Sequence, residues 1–275
     1  MESAVSKLNS PLSVFTCVIR HWGLVVLLTK REVIGRYRGS LLGFLWSLFH
    51  PLMMLAAYSF VFNVVFQTRW STSGENKSDL VLLLFTGLII YSLFSECINR
   101  APNLVLSRVN YVKKVVFPLE VLPWVSLGVA LFQMSTSLTV LLLFYGLSHL
   151  SLNWTVALLP VLIIPLALVV LGASWFLASV GVFVRDVGHA TGLVTSLMLF
   201  LAPVFYPASA LPDTYRPFLY LNPLTFIIEQ ARDVLIAGRQ PSWCGVGLYF
   251  LCSMGFAWIG LLWFEHTRKG FADVL

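Results

Sequence analysis

The sequence predicts an all-α polytopic membrane protein with six transmembrane helices and an N-terminal amphipathic interface helix. Re-entrant or surface helices are expected on the outer side between spans five and six. Three observations carry this prediction. Of 275 residues, 58% are hydrophobic and only 11% are charged, against about 25% charged in soluble proteins. The apolar residues fall in long uncharged blocks, each near the ~20 residues that cross ~30 Å of hydrocarbon as a helix. These blocks show none of the period-2 alternation of barrel strands, and an open sheet would leave backbone groups unpaired in lipid.

The elements follow in chain order. The opening MESAVSKLNS is polar and lacks the apolar core of a secretory signal. Residues 12–22 place Leu12, Phe15, Val18, Ile19 and Trp22 at helical spacing. That segment is amphipathic but too charged to span, so it is expected to lie along the inner surface. The first block runs from Leu41 to Phe66 and contains Pro51, which is tolerated where neighbouring helices satisfy the freed carbonyl. The second, Leu80 to Asn99, has Glu96 near its end. The third, Val121 to His149, carries a polar run at Gln133, Ser135, Thr136, Ser137 and Thr139. The fourth, Thr155 to Val184, contains Pro160 and Pro165; the fifth covers Ala190 to Tyr206 and the sixth Trp243 to Phe264.

Between the last two blocks lies a long loop, 207–242, which Pro207, Pro212, Pro217 and Pro223 cut into short pieces. Asn222 and Pro223 form an N-cap and first-turn signal, and Gly238 is placed to end the helix. A helix of about fifteen residues is expected there, outside the membrane core or dipping into it. The chain divides accordingly into 1–40, a cytoplasmic N-terminus and interface helix, 41–264, the six-span domain, and 265–275, a cytoplasmic tail.

Charge sets the orientation. With the N-terminus in the cytoplasm, thirteen of the eighteen Lys/Arg fall on inner segments, which is the positive-inside pattern. Both termini are then cytoplasmic, and Trp70, Trp124, Trp154, Trp243 and Trp263 lie near span ends, where indoles prefer the headgroup region.

Catalytic constellations are missing from the sequence. It contains no HExxH and no GxSxG, and none of its six lysines follows a glycine, so no P-loop is present. Cys17, Cys97, Cys244 and Cys252 have neither CxxC nor Cys/His ligand spacing. The five histidines are scattered without a second ligand and read as structural or interfacial. Glu96 is the one acid inside a block, and Arg100 follows it four residues on. That is the order for an ion pair, and it outweighs a proton relay.

At several places the sequence resembles the ABC-2 type exporter permeases. KREVIGRYRGSLLGFLWSLFHPL (Lys30 to Leu52) is similar to their entry into the first span, and LSRVNYVKKVVFPLEVLPW (Leu106 to Trp124) to their cytoplasmic loop between spans two and three. VFVRDVGHATGLVTSLMLFLAPVFYP (Val182 to Pro207) and LNPLTFIIEQARDVLIAG (Leu221 to Gly238) resemble the span four to five connection and the outer helix before span six. The ending RKGFADVL is similar to the tails of polysaccharide exporters in particular. The resemblance implies a membrane subunit that is not itself an enzyme. It would form a homodimer, bind two copies of a separate ATPase subunit that holds the ATP and Mg, and export lipid-linked polysaccharide from the bacterial cytoplasmic membrane. O-antigen is the first expectation for the cargo, with capsule or teichoic acid next. No cofactor in this chain and no nucleic-acid partner are expected. The rival readings are an ABC-2 exporter of small hydrophobic compounds and a secondary transporter or channel.

Four groups of residues are candidates within that frame. Arg31 and Arg38, seven apart and free of acids at helical neighbours, suit a lipid-phosphate headgroup on one helical stripe. In the same segment Glu32 and Arg36 stand at i,i+4, so Arg36 is expected to be occupied by an intrahelical pair. Arg108, Lys113 and Lys114 lie on the basic loop 100–118, a candidate coupling helix for the ATPase or merely a positive-inside signal. Tyr58, Phe62 and Phe205 at helical positions are candidates to line a sugar path, or to pack. Glu229 and Arg232 on the outer helix are candidates for a gate that plugs the path and swings aside.

Overall fold

The computed structural model describes residues 11–40, 42–61, 77–109, 117–149, 153–208, 212 and 214–274, and the regular structure among them is helical. The elements are α1 (Ser13–Arg20), α2 (Trp22–Tyr37), α3 (Trp46–Phe60), α4 (Lys77–Arg100) and the short α5 (Asn103–Leu106). They continue as α6 (Leu122–His149), α7 (Leu159–Phe183), α8 (Val187–Leu201), α9 (Arg216–Tyr220), α10 (Pro223–Arg232), α11 (Trp243–Thr267) and α12 (Phe271–Val274). Five stretches are long and apolar enough to cross a bilayer: Gly43–Phe60, Leu80–Arg100, Leu119–Ser148, Trp154–Phe183 and Trp243–Val274. They correspond to expected spans one to four and six.

The fifth is shorter than its apolar block. α8 has 15 residues and stops at Leu201, because Ala202 precedes Pro203 and takes an extended backbone with φ −89 and ψ 151. A proline ring clashes with a helical residue before it, so the helix ends there although the apolar composition continues. Phe205 therefore lies beyond the helix rather than on it.

At the N-terminus α1 and α2 meet at a bend of 72°. Val14 and Val18 of α1 are buried, whereas Leu12, Ile19 and Trp22 are largely exposed. The apolar residues at 12–22 thus serve two surfaces, one against the bundle and one outward, instead of a single stripe. α2 then runs along α6, where a Cβ on Gly128 would come within 2.9 Å of the Thr29 side chain. The lack of one there is what lets the helices approach.

In the bundle α4 packs against α6, α8, α10 and α3, and α7 pairs most extensively with α11. At the α7–α11 crossing a Cβ on Gly172 would lie 2.9 Å from Cα of Ala257, and one on Gly260 would strike the Gly172 carbonyl. Lipid tails are as apolar as leucine, so close backbone approach through small residues supplies much of the attraction between such helices. Buried Trp175 on α7 donates its Nε1–H to the Glu120 carbonyl at 3.0 Å, fixing the entry to α6. Arg268 ties the C-terminal tail to the same place, donating to Glu120 at 2.8 Å and to the Phe117 carbonyl at 2.9 Å.

The outer helix begins and ends where the sequence signals put it. Asn222 accepts from the Leu224 amide at 3.0 Å as N-cap. A five-residue π turn, Asp233–Ala237, extends α10 to Gly238, whose φ of 65 only glycine adopts without strain. Leu224, Ile227, Ile228 and Ala231 are fully buried, and α10 packs on α4 and α7. The helix is thus packed into the bundle rather than lying free on its surface.

Candidate functional site

A cavity of about 670 Å³ opens between the end of α2 and helices α3, α4, α6 and α8. Its aromatic walls are Tyr37, Trp46, Tyr58, Phe85 and Tyr91. Ring faces alternate with polar groups, since Gln133 and Ser137 of α6 and Ser92 and Ser95 of α4 also line it. Tyr37 donates to Gln133 at 3.2 Å, and Tyr91 donates to the Thr195 carbonyl at 2.8 Å, so both rings are held by their hydroxyls. The polar run on the third block thus has a use: Gln133 and Ser137 point to this space. The few placed polar groups among mostly apolar walls are what a ligand site requires.

At one end of the cavity sit Arg36 and Glu96, paired with each other. Behind them Glu32 pairs with Arg108 and, at 3.3 Å, with Arg100. Arg100 also reaches Glu96 at 3.9 Å. One sequence expectation is corrected here and another is borne out. Glu32 and Arg36, although i,i+4, take partners on other elements, because Glu96 and Arg100 at the end of α4 and Arg108 after α5 reach α2 and offer each side chain a tertiary ion. The expected Glu96–Arg100 pair forms at 3.9 Å, as the longer of two contacts to Glu96.

The outer end is organised around a different arginine. Arg232 is only 7% exposed and donates to three backbone carbonyls: Leu83 at 3.0 Å, Val204 at 2.8 Å and Tyr206 at 3.3 Å. The Val204 and Tyr206 carbonyls belong to the segment that Pro203 turns out of the helix. Burial lowers the guanidinium to about 10, a drop that Glu229 partly offsets, and the group stays charged at neutral pH. Glu229 accepts from the Tyr220 hydroxyl at 3.2 Å.

The candidates from sequence fall as follows. Tyr58 lines the cavity. Phe205 packs on Phe200 with ring centroids 6.2 Å apart, outside the helical position expected of it. Phe62, Lys113 and Lys114 lie outside the described residues. Arg108 is turned toward Glu32 with its side chain 19% exposed. Arg31 and Arg38 are exposed, but α2 ends at Tyr37 and Arg38 has an extended backbone. They therefore do not share a helical stripe. Gly39, with φ 86, follows at once and was the signal for that ending. Sequence reasoning missed Tyr37, Trp46 and His50 on the cavity wall, and no local pattern distinguishes them from interface residues. Among the described residues no group of His, Cys, Asp and Glu is placed to hold a metal ion.

Residues 23–236 match the model of the ABC-2 type transporter family, and the chain belongs to that family. It is similar to the O-antigen export system permease protein RfbA of Myxococcus xanthus, with 29% identity covering 91% of this chain and 95% of that protein. Two proteins of the same name from Klebsiella pneumoniae are each 24% identical, covering 92% of this chain and 95% of theirs. Membership makes the chain a multi-pass membrane transport subunit and implies an ATPase partner.

Proposed function

We propose that this chain is the permease subunit of an ATP-driven exporter that moves lipid-linked polysaccharide, O-antigen first among the candidates, across the bacterial cytoplasmic membrane. The observation that carries the reading is the cavity, in which five aromatic rings and a set of hydroxyl and amide groups lie along one path. Aromatic faces stack on pyranose rings, and placed polar groups take up sugar hydroxyls. The names of the relatives support the choice of cargo. ATP and Mg belong to two separate ATPase subunits in this reading, and the basic inner loop with Arg108, Lys113 and Lys114 is their docking feature. Two copies of the chain complete the path. Leu48, Phe49 and Met53 of α3 and Leu193, Leu197 and Phe200 of α8 are exposed beside the cavity, where a second copy would cover them. Lys30, Arg31 and Arg38 hold the approach to α3 on anionic lipid, at ~1 kcal/mol each. α10, with Glu229 and Arg232, closes the outer end and moves aside as polymer emerges.

The cargo is tested by the mass of the lipid that co-purifies with the complex carrying an ATPase-dead partner. A polyprenyl-linked polymer is expected; a small hydrophobic compound in its place would favour a drug-type exporter. Orientation is tested with single cysteines at Ser73, Ser209 and Asn110. The first two react with an impermeant reagent from outside, and labelling at Asn110 would reverse the topology. For the gate, a cross-link between α10 and the 202–206 segment blocks export without blocking assembly, and export that continues through it means that α10 is fixed.

A further inference from the structure

The charged cluster at the end of the cavity is unbalanced. Among the described residues, Arg36, Arg100 and Arg108 are set against Glu32 and Glu96, which leaves one positive charge in excess. The Nη1 atoms of Arg100 and Arg108 are also buried without a hydrogen-bond partner. The side chains themselves are partly exposed, so the excess charge costs little, but a buried donor costs free energy until something satisfies it. An additional anion at Arg36 would balance the charge and release Glu96 to the Arg100 donor.

The members of the cluster differ in what they face. Arg36 and Glu96 line the cavity, whereas Arg100, Arg108 and Glu32 do not. Arg36 keeps a third of its side chain exposed, more than the 19% of Glu96 or Arg108. Its fork matches a carboxylate and a phosphate equally well. Glu96 has a second cation in reach, the Arg100 Nη1 at 3.9 Å, which is one of the two unsatisfied donors. If Arg36 departs, Glu96 moves about an ångström to Arg100 and no carboxylate is stranded. Beyond the pair, Met54, Leu88 and Leu199 give the cavity an apolar wall on which a hydrocarbon chain can lie.

We propose that Arg36 is an exchangeable phosphate ligand, which leaves Glu96 for the phosphate of a lipid-linked substrate in the cavity while Glu96 passes to Arg100. Glu96 is then an internal stand-in for the ligand: it holds the guanidinium in position when the cavity is free and competes with the phosphate when it arrives. The site is Arg36 rather than the pair Arg31 and Arg38. The nature of the ligand rests on the export reading; the exchange rests on the geometry.

The test is binding of a sugar-free polyprenyl diphosphate to the full-length permease with its ATPase-dead partner in phosphatidylcholine nanodiscs, with the uncharged polyprenol as control. Arg36→Ala lowers affinity for the diphosphate about tenfold or more, the scale of one charge-assisted contact. Glu96→Gln, which removes the competitor and keeps the shape, raises it several-fold. Arg31→Lys leaves it unchanged. Wild-type affinity in Arg36→Ala overturns the site, and so does weaker binding in Glu96→Gln, a variant that remains informative if the alanine protein fails to fold. Inorganic pyrophosphate is run alongside, and binding as tight as that of the polyprenyl diphosphate would overturn the lipid part of the assignment. Wild-type protein that does not distinguish diphosphate from polyprenol sinks the export reading and the site together. Binding that is selective for diphosphate yet indifferent to Arg36 and Glu96 sinks the site alone.

Discussion

The two ends of the bundle each hold an arginine, and they hold it in opposite ways. Arg36 is partly exposed and its partner is a single carboxylate on another helix, with a substitute cation beside that carboxylate. Arg232 is buried, its acceptors are three main-chain carbonyls, and the described residues place no carboxylate in a salt bridge with it. A partly exposed ion pair is worth little and is easily traded. A buried guanidinium bonded to backbone cannot let go without orphaning several groups together. The Arg36 pair is therefore the readier of the two to exchange partners, and the Arg232 clamp the one that holds its place.

The largest test of that contrast is Arg232→Met, which keeps much of the volume and removes every donor. Two of the three carbonyls lie on the non-helical segment after Ala202 and accept from no other group among the described residues, so a loss of about 2–4 kcal/mol is expected. It should appear as a lower unfolding midpoint and as protease access to residues 202–242. A midpoint equal to wild type would show that the clamp is not what holds the outer segment. Next comes Gly87→Ala, whose new Cβ would stand 3.1 Å from Arg232 Nη2, 3.1 Å from the Val204 carbonyl oxygen and 3.2 Å from Val204 Cα. Crowding of this kind costs about 1–3 kcal/mol when the neighbours are fixed. A neutral Gly87→Ala would mean that Arg232 and Val204 can shift together, and the outer end would be looser than the geometry suggests. The smallest effect belongs to Glu32→Gln, which takes the carboxylate from Arg100 and Arg108. These side chains are a fifth to a third exposed, so stability falls by about 1 kcal/mol or less. A loss as large as that of Arg232→Met would erase the difference between the two ends.

What the sequence made legible at each end follows from how far apart the partners stand. The outer helix was readable because its signals are local: Asn222 caps two residues ahead, Pro223 follows it, and Gly238 closes the turn. Its clamp was not, since Arg232 bonds to Leu83, 149 residues away. Nothing in a sequence pattern marks which carbonyl a buried arginine will find. At the Arg36 end the local rule held for one pair and failed for the other. Glu96–Arg100 forms as its i,i+4 spacing predicts, but Glu32 and Arg36, with the same spacing, are drawn to Arg108 and Glu96 over separations of 76 and 60 residues. The spans were visible as blocks of composition. Span five was over-extended because hydropathy continued past the proline that stops the helix, and the same misjudgement placed Phe205 on a helical wall.

The early end of α8 reaches beyond the protein into the lipid. Fifteen residues at 1.5 Å each cover ~22 Å, some 8 Å less than a typical hydrocarbon layer. A bilayer meets such a short apolar edge by compressing, drawing headgroups and water toward the midplane at a cost of a fraction of a kcal/mol per Å. Leu199, near the end of this helix, lines the cavity, so the short edge borders the wall of the proposed path. Wherever a second copy leaves that edge uncovered, elastic strain in the surrounding lipid would be concentrated beside the cavity.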